Sequence, residues 1–155
     1  MTAAVHRIPA TPLRSLTNHI ARTDLLGLFG NGDKVDYKKT AALVHLTKED
    51  LGRLAKVQKS SVRYDSHIPT AVAERLRELA NVANLVAEYF NGDAAKVELW
   101  FELPNPLLGS ISPRNMIRAG RYERLLNFVL EAREAEQSAS DATKLAASPP
   151  TTKMP

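Results

Sequence analysis

The sequence predicts an all-α protein, and three observations carry that expectation. Between residues 34 and 136 apolar side chains recur at three- and four-residue intervals, with no alternating run that reads as a strand. Cap residues punctuate these runs: Thr47, Asp93 and Ser112 stand at starts, Gly92 and Gly120 at stops. The chain has 155 residues and is 44% hydrophobic, enough for one domain or two very small ones with tails.

Residues 1–33 hold Pro9, Pro12, Gly27, Gly30 and Gly32 around one weakly helical patch, Leu13, Leu16 and Ile20. They are expected to form an extension with at most one short helix. A first helix is predicted from Asp36 to Val44, with Tyr37, Ala41 and Val44 on one side. Thr47 then caps a second helix, with Asp50 in the capping-box position and Leu51, Leu54 and Ala55 as its apolar face. Lys56-Val57-Gln58 breaks the chain before a third short helix, expected from Lys59 to Asp65. A long helix follows from Thr70 to Phe90, entered through Pro69. Val72, Leu76, Leu79, Ala83, Val86 and Phe90 form its main stripe, and Val82, Leu85 and Tyr89 widen it to a second face. Such a helix must be covered on two sides, either centrally within the chain or at a homodimer interface.

Asn91-Gly92 stops that helix, since both residues tolerate the left-handed conformation. Asp93 caps the next, Ala94 to Phe101, which Pro104-Asn105-Pro106 ends. Ser112-Pro113 opens a helix reaching Ala119. The last is predicted from Arg121 to about Glu136, apolar at Leu125, Phe128 and Val129. The phrase Asn-Gly-Asp, at 31–33 and 91–93, reads as two cap signals. Residues 137–155 are expected to be a disordered tail.

Several function classes fall away. With no cysteine, disulfides and thiolate metal sites are excluded, and a reducing cytoplasm is the expected setting. The apolar stretch at Leu25–Phe29 is far short of the roughly 20 residues needed to span a membrane, and no signal-peptide apolar core is visible. His6, His19, His45 and His67 lie on separate segments without metal-ligand spacing. No phosphate loop, nucleophile triad or carboxylate pair suggests catalysis or a cofactor; a small enzyme is the least supported reading. Charge is uneven. Residues 34–77 carry ten Lys/Arg against five Asp/Glu, while residues 78–155 carry eight against ten. A local basic block suits a polyanion, although a solvated basic face would look the same.

Within that block, residues 48–67 fit a helix-turn-helix. Gly52 is the small residue at the helix crossing, Val57 the apolar residue after the turn, and Val62 the β-branched residue in the second helix. Gln58, Lys59, Ser60, Arg63 and Tyr64 would face the major groove, with Lys59 or Ser61 on phosphates. Lys56 occupies a turn position usually given to glycine, and would pay for a positive φ there. The alternative is a three-helix packing unit without DNA contact.

Further on stands Trp100-Phe101-Glu102-Leu103-Pro104-Asn105-Pro106-Leu107-Leu108-Gly109, then Ser112-Pro113, Ile117, Gly120 and Leu125-Leu126. This order of anchors, over residues 93–136, closely resembles the toxin-binding domain of the Xre/MbcA/ParS antitoxins. The resemblance implies an Xre-like helix-turn-helix region over 34–92 and a toxin-binding domain over 93–136. It further implies a RES-domain toxin as partner, one that consumes NAD⁺ or transfers ADP-ribose, and repression of the chain's own operon as a dimer. Candidate toxin contacts are Trp100, Phe101, Asn105 and Leu108, with Arg118, Arg121 and Arg124 around Tyr122. Trp100 fits core packing or direct contact, and the arginines fit a solvated face equally well. A free-standing transcriptional regulator using the C-terminal segment for dimerisation is the alternative function.

Overall fold

The computed structural model describes residues 23–30 and 34–147. The Leu13, Leu16 and Ile20 patch and the Asn31-Gly32-Asp33 cap signal lie outside them.

Asp24 organises the first described segment. Its carboxylate accepts from the backbone N–H of Leu28 (2.8 Å) and Phe29 (2.9 Å), and the Asn84 amide donates to it at 3.0 Å. Asn84 is fully buried, and its Oδ1 accepts from Leu26 N–H at 3.1 Å. Buried polar groups need partners of this kind. Leu26 and Leu28 are consequently core residues. The expected extension through residue 33 is corrected here: residues 23–30 belong to the folded body, because Leu26 and Leu28 are apolar side chains with a place to go.

Six α-helices follow: α1 Tyr37–Leu43, α2 Lys48–Ala55, α3 Thr70–Tyr89, α4 Ala94–Glu102, α5 Pro113–Arg118 and α6 Tyr122–Ala146. Among the described residues there is no strand, only isolated bridges Phe29–Val35 and Asn105–Ile111. Asp36 caps α1 by accepting from Lys39 N–H. Thr47 and Asp50 form the expected capping box of α2, each accepting from the other's backbone N–H (3.1 and 2.9 Å). Lys56 ends α2 at φ 56°, so the turn carries a non-glycine residue in the left-handed region. Gly52 is required by close approach: a methyl there would lie 2.9 Å from Val57 O and 3.3 Å from Lys59 N.

The expected helix from Lys59 to Asp65 is corrected to a single 3₁₀ turn, Lys59–Ser61. Ser60 and Ser61 compete with the backbone for hydrogen bonds. Val62 turns extended (φ −75°, ψ 114°) to bury its side chain. Asp65 then accepts from His67 N–H at 2.9 Å in an Asx turn, and Ile68 is held out of the helical region by Pro69.

Helix α3 is the hub, packed by α1, α2, α4 and α6. Val72, Leu76, Leu79 and Ala83 are buried on one side, and Val82 and Leu85 on the other. The chain itself covers both faces, so Leu85, 2% exposed, lies in the core and not at a dimer interface. Asn91 (φ 52°) and Gly92 (φ 80°) turn the chain out of α3 as expected, with Gly92 N–H returning to Ala87 O at 2.9 Å. Asp93 caps α4, and Ser112 caps α5 by accepting from Asn115 N–H. One continuous set of buried side chains runs from Leu26 through Phe101 and Ile117 to Leu130.

Helix α6 runs ten residues past Glu136, to Ala146, so the expected disordered tail is in good part helix. Its Ala, Glu, Gln, Lys and Leu residues are strong helix formers and extend an already nucleated helix. Everything from Glu134 to Ala147 is exposed; only residues 148–155 of the expected tail lie outside the described residues.

Candidate functional site

Two surfaces collect the residues singled out from the sequence. The first lies on the α1–α2 side. Gln58, Lys59, Ser60, Ser61 and Arg63 are exposed, and Tyr64 is half-buried. They sit on the 3₁₀ turn and the loop after it, not on a recognition helix. Lys48, the first residue of α2, places its ammonium 5.5 Å from the Tyr64 ring centroid. Burial pushes the Tyr64 phenol up, so it stays a neutral hydroxyl. Lys38, Lys48, Arg63, Tyr64 and Asp65 line an open groove of about 490 Å³. Lys38 and Lys48 were not singled out by the helix-turn-helix pattern, because they precede it or stand at its first residue.

The second surface lies on α4 and its continuation. Three candidate contacts are corrected here. Phe101, Leu108 and Tyr122 are buried in the core, where their apolar area is worth more than in water: about 1.5–3 kcal/mol for a fully buried Phe. Tyr122 also lies under Arg75, 5.7 Å from its ring centroid, and burial raises its phenol far above the ordinary value. Trp100 is half-buried and meets Phe101 edge-on, centroids 5.1 Å apart at 89°. It therefore has both a core face and an open face. That open face joins Tyr89, Phe90, Leu107 and Phe128 around an apolar groove of about 330 Å³.

Asn105 lies in the groove wall and uses its side-chain oxygen to accept from Leu107 N–H at 2.9 Å, which holds the Pro-Asn-Pro turn. Leu107, also in the groove lining, is 76% exposed, and Leu99 on α4 and Leu103 at its C-cap are each 51% exposed. Sequence reasoning missed these three leucines. Leu99 and Leu103 share one helical face, but nothing local tells an outward leucine from an inward one.

The arginines divide. Arg121 and Arg124 are exposed and available to a partner. Arg118 is committed: its Nε donates to Asp50 Oδ2 at 3.1 Å and its Nη2 to His45 O at 3.4 Å. Asp50 is buried. Burial raises its pKa, but Thr47 and then Arg118 outweigh this and hold the carboxyl below the ordinary aspartate value. Arg118 thus bolts α5 to the capping box of α2. Arg53, Lys56, Arg75 and Arg118 also line a third groove of about 350 Å³ next to Gly120, together with Leu54, Tyr122 and Glu123. Among the described residues no three His, Asp or Glu side chains cluster as metal ligands, and no helix is long and apolar enough to cross a membrane.

No protein-family model matches the chain. Over 88 residues it is 35% identical to the mycobacterial cidal antitoxin MbcA of Mycobacterium bovis and of two strains of Mycobacterium tuberculosis. That match spans 54% of this chain and 76% of each relative. The chain belongs to the MbcA antitoxin family. One chain in the crystal structure of the M. tuberculosis MbcT–MbcA toxin–antitoxin complex shares 27% identity with it at a TM-score of 0.44, covering 64% of this chain and 92% of that one. Membership of the MbcA family rests on the sequence relationship.

Proposed function

We propose that this MbcA-family chain neutralises a RES-domain toxin by occupying its surface, without chemistry of its own, and represses its own operon. The observation that carries the first half is the exposed apolar surface of Leu107 in the Trp100 groove and of Leu99 and Leu103 on α4 and its C-cap. An outward leucine in an aromatic-lined groove, with two more exposed on α4 and its C-cap, is a costly surface to leave in water and a good one to bury against a protein. Arg121 and Arg124 add charge toward the partner.

The test is growth and cellular NAD⁺ with a neighbouring RES-type toxin co-expressed. Leu103→Asp with Leu107→Asp should abolish rescue while far-ultraviolet circular dichroism stays unchanged, because both side chains are exposed. Arg121→Glu with Arg124→Glu should weaken rescue. A leucine double variant that protects cells as well as the wild type would defeat the reading.

The repressor half is supported by the basic block and by the exposed turn from Gln58 to Ser61 with Arg63 and Tyr64. Pairing as a homodimer on a palindromic operator would use a surface other than Leu85. The free-standing regulator remains the competing reading, and it predicts operator binding with no toxin rescued.

A further inference from the structure

We infer that Lys38, Lys48 and Arg63 grip the phosphate backbone of duplex DNA in the groove beside Tyr64. This rests on the operator-binding reading above, adds Lys38 and Lys48, which the recognition-helix pattern does not name, and assigns Arg63 to phosphate instead of a base edge. Three chain segments bring one cation each: Lys38 from α1, Lys48 from the first turn of α2, Arg63 from the loop after the 3₁₀ turn. Asp65 is the one carboxylate in the lining, and its Oδ1 already accepts from His67 N–H. Lys38 and Arg63 have no ion-pair partner among the described residues. Lys48 leans on an aromatic ring, which leaves its charge uncompensated.

An open groove with three cations and one engaged carboxylate is a site for a polyanion, since neutralising phosphates releases their condensed counterions. The shape favours duplex over single strand. Single-strand sites stack bases on open aromatic faces, whereas the Tyr64 ring is half-buried and has Lys48 over it. With the recognition helix reduced to one turn, fewer side chains can reach base edges. The phosphate contacts must then set register and much of the affinity.

The experiment is fluorescence anisotropy of the full chain on its own promoter duplex and on an unrelated duplex of equal length, across a potassium chloride series. Lys38→Gln and Lys48→Gln should each weaken both duplexes alike, about fivefold at 0.15 M salt, and lower the salt slope by about 0.9. The preference for the promoter should stay constant. A variant that changes that preference reads bases, and unchanged binding in both variants removes the groove from the interface; either result overturns the inference while leaving operator binding in place. Tighter, lysine-dependent binding of a single-stranded oligonucleotide overturns the choice of duplex. Failure to bind any duplex at low salt, with or without the toxin, overturns operator binding and this inference together.

Discussion

Asp50 shows how much one side chain can carry in a small helical protein. It caps α2 through Thr47, accepts from Arg118, and is buried while doing so. Asp24 plays a similar part for residues 26–29. Burial raises its pKa, but the Phe29 and Leu28 amides, Asn84 and Lys39 together pull it below the ordinary 3.8. For both groups the folded pKa is depressed, so their stabilisation is complete above pH 3.8 and is lost as pH falls through the lower folded value. Glu78 acts the other way: burial raises it above 4.5 although its ion pair with Arg75 opposes this, so protonating it on the way down favours the fold. The urea midpoint should therefore change little between pH 5 and 4 and fall steeply below. Asp50→Asn should flatten that fall, and an unaltered acid profile in this variant would remove Asp50 from the account. At this scale the sequence was most legible. Thr47, Asp50, Gly52, Asp93 and Ser112 all act where their local pattern places them, because capping and close backbone approach are settled within a few residues.

Elements were legible where periodicity was long and misread where it was short. Helix α3 spans 20 residues with an unbroken stripe, and its bounds follow from Pro69 and Asn91-Gly92. The stretch after Gln58 has seven residues, two of them serines, and the burial of Val62 outweighs its weak helical tendency. Helix α6 errs in the opposite direction. Its outer half has no apolar stripe to detect, and propensity alone carries it. Few tertiary contacts protect that half, so its hydrogen bonds should open locally. A chain ending at Glu136 should keep its thermal midpoint within about 2 °C, since exposed residues away from such contacts contribute little. In the full chain, amides of residues 138–146 should exchange far faster than those of α3. A midpoint lowered by 5 °C or more would show that the outer half packs on something.

At the scale of the whole molecule the two segments distinguished in the sequence share one core. Helix α4 packs on α1 and α3, α5 packs on α2, and Arg118 bolts α5 to Asp50. A chain cut at Phe90 would strip α4 and α6 from α3 and α5 from α2, so it is no test of where toxin binds. Trp100 fluorescence and helical circular dichroism should report one coincident unfolding transition. Arg118→Ala should lower stability by about 1–2 kcal/mol: a hydrogen bond to a charged group, discounted for the guanidinium's partial exposure. Two separated transitions in the wild type would mean that the halves fold independently.

From the sequence alone came the helical class, the caps, the close approach at Gly52 and the anchors that resemble the antitoxin family. Each is a local signal, set by backbone hydrogen bonding and by periodicity along one segment. Which side of each helix would be covered was decided only by the tertiary structure. It sent Phe101, Leu108 and Tyr122 inward, turned Leu99, Leu103 and Leu107 outward, and spent Arg118 on Asp50, 68 residues away in sequence. It also gathered Lys38, Lys48 and Arg63 from three segments into one groove. Burial is a property of neighbours, and the neighbours of these residues are distant along the chain.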